Sequence, residues 1–129
     1  MTKPREADVQ RLILDWLAAK KIWHIRLNTG AMSGSHKGKR WFVKFGKPGM
    51  ADIVVMPRIS SVDVEKCYDC GAKTENTSTW TYPTWIEVKS PVGKQSPEQK
   101  RFREEVESQG MQYILARSLE DVKKVLEAR

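Results

Sequence analysis

A chain of 129 residues that is 40% hydrophobic and 30% charged is long enough for one domain with its own core, and too apolar to remain disordered. Lys and Arg outnumber Asp and Glu by 23 to 16, a formal charge of +7, which points to a polyanion such as nucleic acid and leaves open a merely basic soluble protein. No run approaches the ~18 apolar residues of a membrane span, and the start, Met1 to Glu6, enters a charged helix instead of a signal-type stretch, so a cytoplasmic protein is expected.

The first helix is predicted from about Pro4 to Lys20, with Val9, Leu12, Ile13, Trp16 and Leu17 on its core face. Residues 22–27 alternate as a half-buried strand, with Trp23, Ile25 and Leu27 on one side. Residues 28–40 are rich in Gly, Ser and basic side chains and read as a mobile cationic loop suited to phosphate. A strand pattern resumes at Trp41–Phe45, and after the Gly46–Gly49 turn Asp52 opens the β-branched run Ile53-Val54-Val55; these two segments are expected to be adjacent central strands.

Residues 58–83 are polar, carry Cys67 and Cys70, and read as an insertion before the strand Thr84–Lys89. Ser96-Pro97-Glu98-Gln99 has the form of a helix start, with an N-cap serine, proline at the first helical position and glutamine at the third; Gly110 suits the stop. Met111–Ala116 reads as a last strand and Ser118-Leu119-Glu120-Asp121 starts a terminal helix. The expected fold class is α/β, one mixed sheet flanked by helices in the order α-β-β-β-β-α-β-α, a single domain over 1–129 with the insertion at 58–83.

Period-two geometry puts Trp85, Glu87 and Lys89 on one face of their strand, a carboxylate beside an ammonium. Such alternation is common on exposed strands, and Asp52 alone could be a strand-end carboxylate. Together, however, Asp52, Glu87 and the backbone carbonyl of Val88 form a hard oxygen set of the kind that Mg²⁺ takes with waters and phosphate. Lys89 would then hold the attacking water and balance charge growing on a phosphodiester.

Gly49-Met50-Ala51-Asp52, Ile86-Glu87-Val88-Lys89 and Ser96-Pro97-Glu98-Gln99, in this order and spacing, resemble the VRR-NUC nucleases of the PD-(D/E)XK superfamily. The resemblance covers nearly the whole chain and includes Glu6 in the first helix, Asn28-Thr29-Gly30 after the first strand and Gly110 before the last. It implies a restriction-endonuclease-like core and a site using Mg²⁺ or Mn²⁺. In that site Asp52 and Glu87 are metal ligands, Lys89 is the catalytic lysine, and Glu6, through a water, and Gln99 complete the set. The positive end of its helix is the competing explanation of Glu6, and Gln99 is equally explained by the Ser96 capping box.

Compact relatives of this kind are bacterial or viral and resemble dimeric resolvases of four-way DNA junctions, so a homodimer acting on branched DNA is the expected system. Asn28, Ser33, Lys37, Lys39, Arg40 and Lys94 are then expected to contact DNA. A non-catalytic nucleic-acid-binding module and a restriction-type duplex endonuclease are the competing readings.

The sequence departs from the compact pattern in the insertion between Asp52 and Glu87. Val64–Gly71 resembles one knuckle of a zinc ribbon, but structural zinc takes four ligands and the chain has two cysteines. His24, His36 or the same pair of a second subunit would have to complete a site at Cys67 and Cys70. The plainer expectation is a surface hairpin with reduced thiols. Trp80, Tyr82 and Trp85 are candidates for stacking on unpaired bases or for core packing.

Overall fold

The computed structural model describes residues 4–27, 31–44 and 46–128. Helix α1 (Glu6–Ala19) leads into β1 (Trp23–Arg26), and a hairpin of β2 (Ala31–His36) and β3 (Lys39–Lys44) follows. Next come β4 (Ile53–Met56), a second hairpin of β5 (Arg58–Lys66) and β6 (Lys73–Thr81), β7 (Thr84–Val88), α2 (Pro97–Ser108), β8 (Gln112–Ala116) and α3 (Leu119–Leu126). The architecture is mixed α/β, with a four-stranded sheet in the order β1-β4-β7-β8 and two separate two-stranded hairpins.

The sheet is antiparallel from β1 through β4 to β7 and parallel between β7 and β8, whose crossover carries α2. One face is closed by α1 and α3. Val9, Ile13 and Leu17 of α1 and Val122 of α3 pack on Ile53, Val55, Ile86, Val88 and Ile114. Truncating one of these aliphatic side chains would cost about 2–5 kcal/mol. On the other face α2 lays Phe102 and Val106 over Ala51 and Tyr113, and Trp85 meets Phe102 edge-on at 5.1 Å.

The helix ends follow local chemistry. Ser96 and Gln99 form the expected capping box, with the Gln99 N–H donating to Ser96 Oγ at 3.2 Å and the Ser96 N–H donating to Gln99 Oε1 at 2.8 Å. Asp121 Oδ2 likewise accepts from the Ser118 N–H. At the end of α1, Lys21 takes φ 56, its N–H bonds the Ala18 carbonyl, and the Ile22 N–H bonds that of Leu17. This is a Schellman turn built without glycine, and it returns Ile22 to the core.

Several expectations are corrected. Residues 31–40, expected as a loop, instead form a hairpin with the expected strand at 41–44, turned by Lys37 and Gly38 at φ 50 and 76, values that suit a primed two-residue turn. β3 pairs with β2 and not with β4; β4 lies between β1 and β7, because the apolar run Ile53–Val55 has to be covered on both sides. Residues 58–81 form a paired hairpin with nine residues in each strand, in line with the plainer expectation for the insertion. Leu12 is 55% exposed and lies off the core face of α1.

Trp23 and Ile25 are also mostly exposed, at 56% and 45%, for a reason that bears on function. Register places Trp23 opposite Met56, Ile25 opposite Val54 and Val54 opposite Trp85, so these side chains share the α2 face of the sheet. Among the described residues, α2 packs on the β7–β8 half of that face; Val54 of β4 is still buried, whereas Trp23 and Ile25 at the β1 edge are left mostly uncovered.

Candidate active site

The insertion does not separate Asp52 from Glu87. Both strands leave the hairpin side by side, Ile53 pairs with Ile86, and the Asp52 N–H donates to the Ile86 carbonyl at 3.0 Å. On its other side the Asp52 carbonyl accepts from the Leu27 N–H at 2.7 Å, so the residue is stitched between β1 and β7. Its carboxylate then caps the end of β7, with Oδ2 accepting from the Val88 N–H at 2.7 Å. In extended backbone a residue's N–H and C=O point the same way, so the Val88 carbonyl also faces Asp52.

Glu87 projects to the α2 face and is 2% exposed. Gln99 Nε2 donates to its Oε1 at 2.7 Å, while the other face of the Gln99 amide caps Ser96, so one side chain serves helix and site together. Lys89 Nζ lies 3.8 Å from the same Oε1, with the lysine side chain 14% exposed. Glu87 Oε2 is buried and has no hydrogen-bond partner among the described residues.

An orphaned carboxylate oxygen beside a second carboxylate is unfavourable unless positive charge is supplied. Burial, and then the Asp52 charge, push the Glu87 carboxyl up to about 8, with Glu6 adding to the rise and Lys89 opposing it. Burial also raises the Asp52 carboxyl, against the pull of the Val88 N–H, Lys89 and Arg26. With both carboxyls ionised, one ammonium leaves the pocket short of positive charge. A divalent cation held by Asp52, Glu87 and the Val88 carbonyl fits that deficit and gives Oε2 a partner.

The first residues of α2 are held against this centre by glycine. Gly49 has φ +76, and a Cβ there would lie 2.2 Å from the Glu98 carbonyl oxygen and 2.6 Å from the Gln99 nitrogen. The turn that leads to Asp52 therefore rests on the backbone of the first turn of α2, and a Lys47–Glu105 ion pair lies beside it.

Sequence reasoning missed the surroundings. Gln95 donates to the Tyr113 hydroxyl at 3.0 Å, and burial, with the Glu87 charge next, pushes that phenol upward. Arg117 Nη1 donates to the carbonyls of Ser90 and Gly93, both at 2.7 Å, and fixes the loop that follows Lys89. These pairings join residues far apart in sequence, and no local pattern marks them.

The remaining predicted residues lie outside this cluster. Glu6, exposed in the first turn of α1, acts on Glu87 through its charge but forms no ligand set, and among the described residues no three His, Cys, Asp or Glu side chains converge on a metal position. Ser33, Lys37, Lys39 and Arg40 are exposed on the β2–β3 hairpin, where Ser33 and Arg40 line an open groove with Trp41. Lys94 is exposed between β7 and α2, and Asn28 lies outside the described residues.

Cys67 and Cys70 are free and exposed at the β5–β6 tip. Hydrogen bonds from Cys70, by backbone and thiol, and from the Asp69 N–H hold the Cys67 thiol below its usual range. Neither histidine joins them: His24 Nδ1 pairs with the Ile22 carbonyl at 2.7 Å and His36 sits on the other hairpin. Trp85 is a core side chain, whereas Trp80 is 47% exposed.

No helix among the described residues is long and apolar enough to cross a membrane. Neither the curated proteins nor the solved structures give a significant match to the chain. The VRR-NUC domain matches residues 5–120, which span every residue of the carboxylate–lysine centre. With that match over most of its length, the chain belongs to the VRR-NUC family and is a nuclease of the PD-(D/E)XK type.

Proposed function

We propose that the protein is a metal-dependent endodeoxyribonuclease of branched DNA, with the four-stranded sheet as a restriction-endonuclease-like core. The observation that carries this reading is the buried, unpartnered Glu87 Oε2 beside Asp52 and Lys89. Nucleases of this type use divalent metal, and Mg²⁺ or Mn²⁺ is the hard cation that an all-oxygen set suits. Asp52, Glu87 and the Val88 carbonyl would hold it. Once bound, it supplies Lewis acidity toward the phosphodiester and a lowered water pKa.

The chain's own groups do the rest. Gln99 fixes the Glu87 carboxylate through one hydrogen bond, so that its free oxygen points one way. Lys89 Nζ, held near Glu87, can orient the attacking water and donate to the phosphate oxygens as their charge grows. The Lys37, Lys39 and Arg40 hairpin offers cations to the flanking backbone phosphates.

The exposed β1 edge of the α2 face supports a branched substrate. Trp23 and Trp80 open onto a cleft of about 450 Å³ with Met56, Arg58, Thr79 and Thr81. Met56 is four residues along the chain from Asp52, about 13 Å at ~3.3 Å per residue. The exposed indole of Trp23, on the same sheet face as Glu87, and that of Trp80, which lines the cleft from the β5–β6 hairpin, suit the unpaired bases found beside a branch point, where each stack contributes about 1–3 kcal/mol. A two-fold pair of such sites would make the symmetry-related cuts that a four-way junction requires.

The test is cleavage of four-way, flap and linear DNA in Mg²⁺ or Mn²⁺. Wild type should cut branched substrates, Glu87→Gln should not, and Lys89→Ala should lose about 10²–10³-fold. Cutting by Glu87→Gln at the wild-type rate would sink the reading. Trp23→Ala should weaken binding to flap DNA about tenfold and leave linear duplex binding nearly unchanged; equal loss on both would remove the branched-DNA element alone.

A further inference from the structure

The outer part of the β5–β6 hairpin, beyond the Trp80 cleft, is the part of the molecule that the nuclease site leaves unexplained. Its strands pair only with each other, and every residue from Val62 to Thr81 is exposed. An isolated two-stranded hairpin is marginal in water, so nine paired residues in each strand with no layer behind them need another source of order. Val62 and Val64, 55% and 56% exposed, lie on one face opposite Thr77 and Glu75 across the ladder, a small apolar patch without cover among the described residues.

The tip has the conformation of a metal-binding knuckle. The Cys67 N–H donates to the Ala72 carbonyl at 2.7 Å, and the Gly71 N–H donates to the Cys67 carbonyl at 3.0 Å. Gly71 takes φ +72, a left-handed turn that a side chain rarely adopts. Within this turn the backbone N–H groups of Asp69 and Cys70 point at the Cys67 sulfur, as they do around thiolates that serve as ligands. Both thiols face solvent.

Zinc closes a structural site with four ligands, and these are the chain's two cysteines. No third His, Cys, Asp or Glu joins them among the described residues. We propose that Cys67 and Cys70 are one half of a tetrahedral zinc site completed by the same two cysteines of a second copy. The hairpins then meet tip to tip across a two-fold axis, with the Val62 and Val64 patches available to be covered. The site is incomplete in a single chain, so metal and dimer stand or fall together.

The full chain, purified under reduction and without chelator, should carry one zinc for every two chains and run as a dimer. Replacing zinc by Co²⁺ should give the intense sulfur-to-metal charge-transfer bands of a tetrahedral thiolate centre. Cys67→Ser with Cys70→Ser should lose zinc and these bands and become monomeric, while its circular dichroism still shows the helices. Glu87→Gln should retain all three properties, which separates this site from metal at the nuclease centre and makes the outcome independent of cleavage. No bound zinc, one zinc per chain, zinc retained in the double variant, or a Cys67–Cys70 disulfide in the freshly reduced protein would overturn the proposal.

Discussion

The four-stranded sheet and the two hairpins are built from the same kind of strand but use it in opposite ways. In the sheet, strand ends converge on a centre from which water is nearly excluded: Glu87 is 2% exposed and Lys89 14%. In the hairpins, β6 is exposed along its whole length, and Lys37, Lys39 and Arg40 all face solvent. Burial makes each charge in the sheet expensive and therefore consequential, whereas screening makes each hairpin charge cheap and replaceable. The chemistry is concentrated in one place and the contacts are distributed over two others. That contrast predicts how steeply each region responds to change.

The sharpest response should come from Glu87. Its carboxyl sits at about 8 in the fold against an ordinary 4.5, so between those values the folded protein holds a proton that the unfolded chain has lost. Stability from this group is complete below about pH 4.5 and declines as pH rises toward 8, at up to roughly 1.4 kcal/mol per unit. Glu87→Gln keeps the shape and the Gln99 contact but cannot ionise. In chelator, urea unfolding at pH 5 and pH 8 should show wild type losing several kcal/mol and the variant far less. A parallel decline in both would mean that the buried carboxyl is not the source. Metal added at pH 8 should stabilise wild type more than the variant.

A smaller effect, still within the sheet region, is expected at Gly49. Alanine there must adopt a left-handed backbone at about 1–2 kcal/mol and overlap the first turn of α2 at about 1–3 kcal/mol more. Because that turn carries Gln99, the same change should displace the hydrogen bond on Glu87 and reduce cleavage about 10–100-fold. Gly38, at φ +76 in the hairpin turn with open space around it, is the control. Gly38→Ala pays only the backbone term, and its cleavage should stay near wild type. Equal losses at the two glycines would erase the distinction between the regions.

The two regions also differed in how far the sequence revealed them. Helices α1 and α2 and strands β4 and β7 were readable because burial imposes a period or an unbroken apolar run, and Ser96-Pro97-Glu98-Gln99 carries its cap in four residues. β2 and β6 were not, because the strands AMSGSH and KTENTSTWT lack the alternation that burial on one face would impose. That Asp52, Glu87 and Lys89 lie together was expected from residue type and spacing, and the place of Gln99 beside them from the family resemblance. The docking of Gly49 on Glu98 and the hold of Arg117 on Ser90 are contacts between distant segments, which no local pattern encodes. Strand order failed for the same reason: the pattern around Phe42 shows a strand but not its neighbour.

The smallest effects should come from the β2–β3 hairpin, and their form matters more than their size. Lys37, Lys39 and Arg40 are exposed, and Gly34 leaves room for the Trp41 ring, which would meet a Cβ at 2.4 Å. The ring thus braces a ladder that carries cations on an otherwise unsupported ribbon. If these cations meet backbone phosphates, each alanine substitution should weaken four-way, flap and linear DNA alike, by less than about 1 kcal/mol, and lower the salt slope of binding by about 1. kcat at saturating DNA should not move, since none of them reaches Glu87 or Lys89. A substitution that discriminated between branched and linear DNA would instead place this hairpin in substrate selection, a role assigned here to Trp23 and Trp80, and would shift the division of labour between the two regions.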